Sequence, residues 1–128
     1  MTADVFRDVR EWHRAFGVPV LDRPQIPKCD RVALRFALLD EEAIELGDAI
    51  AADDVAQIAQ EGCDLIYVIA GLFAEYGIDG AAVWAEVHRS NMSKLGADGR
   101  PVLRADGKIL KGPGYQEADV AKVLGLDR

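Results

Sequence analysis

At 128 residues, half of them apolar and 29% charged, the chain is long enough for one folded domain and too short for two. Only 5 prolines and 12 glycines exclude a disordered, collagen-like or low-complexity polymer. A net charge of −7, from 15 Lys and Arg against 22 Asp and Glu, disfavours attachment to polymeric nucleic acid or an anionic membrane and leaves cations as the natural small partners.

Four helices are predicted in chain order. Val5, Val9, Trp12 and Phe16 recur at helical spacing over residues 3–16, and Gly17 with Pro19 supplies the stop. Pro19, Pro24 and Pro27 then deny residues 18–27 a regular hydrogen-bond ladder, so this stretch is a loop. From Asp30, read as an N-cap, the series Val32, Phe36, Leu39, Ala43, Leu46 and Ile50 alternates steps of four and three, a heptad-like seam for a second helix. Asp53 or Asp54 caps a third, apolar over much of its circumference between Leu65 and Phe73 and expected to be the most buried element. Trp12, Trp84, Phe73 and Tyr76 sit at core-like spacings, and an apolar third helix too broad for three partners suggests a dimer. Asp79 opens a fourth helix that runs to about Ser93. Beyond Lys94, Asp98-Gly99 and Asp106-Gly107 flank Val102-Leu103 and Ile109-Leu110, which reads as a small β-ribbon or ordered loop. A short segment follows Gly112-Pro113-Gly114. The expected organisation is one domain over 1–128, with an all-α core over about 3–94 and a basic extension over about 95–128.

Cys29 and Cys63 are far apart and imply no disulfide framework, and Cys63 stands where a small hydrophobe would serve. Charged residues near Met1 interrupt any signal-like stretch, and no uncharged run reaches membrane-spanning length, so the expected compartment is the cytoplasm.

The chemistry is concentrated in acids. Glu41, Glu42 and Glu45 lie on the second helix and Glu61 and Asp64 on the third. Residues three apart share a helix face, so Glu42 pairs with Glu45 and Glu61 with Asp64. In an antiparallel hairpin the position numbers of facing residues add to a constant. That constant is 106 for both Glu42 with Asp64 and Glu45 with Glu61, which centres the turn on residue 53, where Asp53-Asp54 independently signals it. Four carboxylates crowded at a core border repel one another, and a divalent cation is the economical resolution. Oxygen donors with no neighbouring His or Cys favour Mg²⁺, or Mn²⁺ in its place. His13 and His88 form no ligand spacing, so a surface or hydrogen-bonding role is expected of them, and the missing Glu-x-x-His repeats argue against a di-iron bundle.

With Glu41-Glu42-Ala43-Ile44-Glu45 followed by Glu61-Gly62-Cys63-Asp64, the chain resembles the all-α nucleoside triphosphate pyrophosphohydrolases, whose signature is an EExxE helix followed by an ExxD helix. That group includes MazG-like proteins, dimeric dUTPases and phosphoribosyl-ATP pyrophosphohydrolases. Residues 86–94, the Asp106-Gly107-Lys108 and Lys111-Gly112-Pro113 segments and residues 11–17 are similar to single-domain MazG-like and dUTPase-related members, so the likeness covers nearly the whole chain. It implies a four-helix MazG-like bundle, an obligate homodimer that could pair again into a dimer of dimers, and hydrolysis of a nucleoside triphosphate to monophosphate and pyrophosphate. By position it makes Glu42, Glu45, Glu61 and Asp64 the Mg²⁺ ligands and Glu41 the base for the attacking water. The substrate favoured is dUTP or another dNTP, in nucleotide-pool cleaning. The alternatives are phosphoribosyl-ATP, which the MazG-like basic tail disfavours, and a non-catalytic module that binds nucleotide or metal.

From Arg89 to Lys111 there are six basic residues against Asp98 and Asp106, which asks for an anionic partner. Arg89, Asn91, Lys94, Lys108 and Lys111 are therefore the expected substrate-binding residues. Asn91 and Lys94 are three apart and point to one side of the fourth helix.

Overall fold

Helix α1 (Val5–Phe16) begins where the Asp4 carboxylate accepts the Arg7 amide hydrogen at 3.0 Å, and it ends at Gly17 in the left-handed region. The computed structural model describes residues 3–127. Three more long helices follow, α2 (Cys29–Ala51), α3 (Val55–Tyr76) and α4 (Gly80–Met92), then strands β1 (Val102–Leu103) and β2 (Ile109–Leu110) and a single turn, α5 (Val120–Val123). The expected all-α class holds.

The cap expected at Asp30 does not form. Helix α2 starts two residues earlier, with Lys28 at the N-cap position making no side-chain bond, and Asp30 lies in the first turn. There its charge still opposes the positive end of the helix dipole. The α2/α3 turn falls where expected. Asp53 adopts φ 54°, and the Asp54 carboxylate accepts the Gln57 amide hydrogen at 3.1 Å to start α3.

The chain forms two units, residues 1–80 and 81–128. In the first, α3 packs against both α1 and α2. The loop after α1 is stitched to the end of α3 by bonds from Leu21 N to Ala74 O and Gln25 N to Tyr76 O, both 2.9 Å. Its buried residues are small or polar: Val9 and His13 on α1, Arg35 and Ala49 on α2, Ala70, Gly71, Ala74 and Glu75 on α3, and Gly77 and Gly80 beyond it.

Burial departs from the apolar pattern on all three helices of this unit. The α2 seam is not continuous, because Phe36 is 70% exposed and Ile50 54%. Helix α3 is the most buried element only from Ala70 onward, since Val55, Ile66 and Tyr67 before it are exposed, as is Cys63. An all-round apolar helix needs cover on every side, and within this unit α1 and α2 cover only part of it. Trp12 is likewise exposed, stacked on Phe16 at a centroid distance of 4.5 Å. His13 is not at the surface; its Nδ1–H donates to the Pro19 carbonyl at 3.0 Å.

The second unit contains the rest of α4 and the C-terminal segment. The expected ribbon forms as an antiparallel pair with Val102 opposite Leu110 and Leu103 opposite Ile109. Ser90 Oγ donates to Gln116 O at 2.8 Å, and the Gln116 amide donates to Ser93 Oγ at 2.9 Å, which fastens the C-terminal segment to α4. Trp84, expected in the core, is 67% exposed in this unit. The final segment becomes helical because the Asp119 carboxylate accepts the Lys122 amide hydrogen. Among the described residues no single helix is long and apolar enough to cross a membrane.

Candidate active site

The α2/α3 hairpin brings three of the expected acids together. One carboxylate oxygen each from Glu42, Glu45 and Glu61 lies within 4.8 Å of the other two. Glu45 is exposed, whereas Glu42 and Glu61 are half-buried, and Oε2 of each is shut off from solvent without a hydrogen-bond partner. A buried carboxylate oxygen lacking a donor is costly. Burial, reinforced by the charge and the hydrogen-bonding proximity of Glu45, pushes the Glu42 carboxyl above the usual range, and the same causes push up Glu61.

Asp64 is half-buried beside these groups and adds to the upward push on both Glu42 and Glu61. It stands outside the trio, its two carboxylate oxygens accepting from Gln60 Nε2 at 3.2 and 3.3 Å. Glu41, the next residue of α2, is exposed. A helix step of about 100° turns it away from the Glu42 position, toward solvent at the edge of the cluster.

Convergent carboxylates with orphaned buried oxygens have two ways to lower their energy: take up protons or bind a hard cation. The donor set suits the second. All ligands are oxygens, no His or Cys joins them, and Asp64 stands within reach as a further donor, a pattern suited to Mg²⁺ or Mn²⁺.

Further along the same interface is a cluster that sequence reasoning missed. Glu75, whose side chain is fully buried, accepts from Arg31 Nε at 2.7 Å and Arg31 Nη2 at 3.0 Å, and pairs with Arg35 Nη1 at 3.3 Å. Arg35 Nη2 also donates to the Val68 carbonyl at 2.7 Å. Gly71 makes this possible, since a methyl group there would collide with the Arg35 guanidinium and with His13 Nε2. The signal was present in the numbering: Arg31 with Glu75 and Arg35 with Gly71 also add to 106. Gln60 was likewise detectable as a residue four before Asp64.

The expected substrate residues all lie in the second unit. Arg89 is engaged there, donating to both Glu86 oxygens at 2.6 and 2.9 Å and to Gln116 Oε1 at 3.0 Å. These bonds, with one from the Asp119 amide, hold the Glu86 carboxyl down to about 2. Lys111 Nζ lies 4.7 Å from the Tyr115 ring centroid. Asn91 and Lys108 are exposed and Lys94 is half-buried.

A family model described as phosphoribosyl-ATP pyrophosphohydrolase matches residues 9–91, which include all five expected acids together with Arg31, Arg35 and Glu75. Lys94, Lys108 and Lys111 lie beyond the matched segment. No curated protein sequence matches the chain. Among solved structures, the chain is similar to a protein from Exiguobacterium sp. 255-15 to which NTP pyrophosphohydrolase activity has been ascribed, with 24% identity, a TM-score of 0.48, and coverage of 96% of this chain and 93% of that one. With its acidic helices falling within the matched segment, the chain belongs to the phosphoribosyl-ATP pyrophosphohydrolase family, an all-helical, MazG-like group, and is a pyrophosphohydrolase.

Proposed function

We propose that the protein hydrolyses a nucleoside triphosphate, dUTP or another dNTP before others, to the monophosphate and pyrophosphate with Mg²⁺ held by Glu42, Glu45, Glu61 and Asp64. The observation that carries the reading is the pair of orphaned oxygens on Glu42 and Glu61 within an all-oxygen trio. A divalent cation bound there would neutralise charge on the phosphate oxygens. Glu41, exposed at the edge of the cluster, takes a proton from the attacking water. The water oxygen becomes part of one product, the anhydride bond between the α- and β-phosphoryl groups breaks, and pyrophosphate leaves. Lys94, Lys108, Lys111, Asn91 and Arg89 bind the anionic substrate, with the Arg89 fork already shared with Glu86.

The family model that matches favours a second substrate, phosphoribosyl-ATP, which contains the same anhydride. The two readings separate in a pyrophosphate-release assay with Mg²⁺ over dUTP, the other dNTPs, the ribonucleotides and phosphoribosyl-ATP. The highest kcat/KM is expected on a dNTP, and a decisive preference for phosphoribosyl-ATP replaces the first reading by the second.

The working form is a homodimer in the cytoplasm, the whole chain acting as one domain. Support for the dimer comes from apolar side chains left uncovered in the first unit, among them Phe16, Phe36, Ile44, Val55 and Ile66. Sedimentation equilibrium tests this, with a dimer or a dimer of dimers expected and a monomer at micromolar concentration contradicting it.

A further inference from the structure

The geometry points to Arg31, Arg35 and Glu75 as positioning residues that fix the axial register of the α2/α3 hairpin and thereby hold the acids at equal height. This inference rests on the metal-binding reading of those acids. Arg31 with Glu75, Arg35 with Gly71, Glu42 with Asp64 and Glu45 with Glu61 all share one facing register, so a slip at one end displaces the other. Arg35 is seven residues before Glu42, about 10 Å along the same face of α2.

The acidic end is poorly suited to set this height itself, because its convergent like charges repel one another across the hairpin. Nor do the buried apolar residues of α2 and α3 set it alone. Ala49, Ala70 and Ala74 are small and offer shallow ridges, which resist a slide less than large interlocked side chains would. Directional bonds resist such a slide. Arg31 grips both oxygens of a Glu75 side chain with no solvent exposure, and Arg35 reaches both Glu75 and the α3 backbone at Val68. A buried polar group that selects one register over its neighbours is a known use of such costly interactions. Gly71 completes the device, since its missing side chain is the seat of the Arg35 guanidinium beside His13.

The test separates register from stability. Replacing both Arg35 and Glu75 by Met (R35M/E75M) removes the directional bonds and fills the space with flexible apolar side chains. Mn²⁺ binding to the full-length protein, followed by electron paramagnetic resonance without nucleotide, is expected to be about tenfold weaker than wild type even with the thermal midpoint in EDTA restored, a size typical of losing support behind metal ligands. Undiminished Mn²⁺ affinity in a stable R35M/E75M protein overturns the proposal. If that variant does not fold, Arg31→Met carries the test, because Arg31 is partly exposed and Arg35 still neutralises Glu75; it too is expected to weaken Mn²⁺, and an unchanged affinity overturns the proposal. Spin labels on the exposed Cys29 of α2 and Cys63 of α3 report the register without any metal. Their distance is expected to shift or broaden by about 1.5 Å or more, one residue's rise, in either variant. Should wild type bind no Mn²⁺, the metal reading fails while this distance still decides the register, an unchanged distance overturning it.

Discussion

The α2/α3 interface carries two polar clusters in one register, and they are opposites. At the Arg31–Arg35–Glu75 end a buried carboxylate is met by two guanidinium groups, and its charge is compensated inside the protein. At the Glu42–Glu45–Glu61 end the carboxylates meet one another, and two buried oxygens are left without donors. Arg35 Nε of the first cluster is also buried without a partner, but the acid there is met by cations, whereas the acids of the second cluster meet one another. The first cluster is neutralised within the protein; the second, on the reading proposed above, is neutralised when a divalent cation binds.

The contrast predicts opposite responses to the same kind of substitution. Glu75→Ala leaves the buried Arg35 unpaired and should cost about 3–5 kcal/mol of stability, measured by urea unfolding. A loss below about 1 kcal/mol, the scale of a surface pair, would remove the distinction between the ends. Glu41→Gln should lower kcat about a hundredfold or more while leaving Mn²⁺ affinity near that of wild type, as expected for a base outside the ligand trio. Glu61→Gln should abolish tight Mn²⁺ binding yet raise the thermal midpoint of the metal-free protein at pH 7, because it removes one of the mutually repelling charges. A lower midpoint would mean that the acids stabilise the apo fold.

The pH dependence follows with its sign. Glu42 and Glu61 have carboxyls pushed above the usual range, so within that window the folded chain binds more protons than the unfolded one and loses stability as pH rises. The midpoint difference between Glu61→Gln and wild type, measured without metal, should therefore be present at pH 7 and shrink on acidification toward the ordinary carboxylate range. Glu86 behaves in reverse: its carboxyl is held down to about 2, so what it contributes is present at neutral pH and lost as pH falls toward that value. The smallest effect expected is that of Gln60→Met, which keeps side-chain length and helix propensity but removes the donor to Asp64; Mn²⁺ affinity should fall only about twofold, in line with an exposed four-apart pair.

Much of this was legible in the sequence for identifiable reasons. Capping and turn chemistry located the α2/α3 turn at Asp53-Asp54, and from that turn simple numbering placed Glu45 opposite Glu61. The β-ribbon followed from its Asp-Gly pairs and short apolar runs. Burial was harder to read. Phe36 and Trp84 have core-like spacing, but spacing tells which residues share a face and not whether anything covers that face. The Arg31–Arg35–Glu75 cluster escaped because charged residues on long helices are ordinarily solvated, and only the facing register reveals that these point at one another. Asp64 was expected opposite Glu42 within the cluster, but it stands outside the trio, where Gln60, four residues before it, donates to its oxygens.

The most direct measurement is a titration of metal-free protein with Mn²⁺ followed by electron paramagnetic resonance, comparing wild type with the Glu42→Gln/Glu61→Gln double variant. Wild type should quench the free-ion signal at sub-millimolar Mn²⁺, and the double variant should leave it at full amplitude. If the two proteins quench equally, or if wild type leaves the signal intact at millimolar Mn²⁺ with a nucleoside triphosphate present and yet releases pyrophosphate, the acidic trio is not where this enzyme holds its metal.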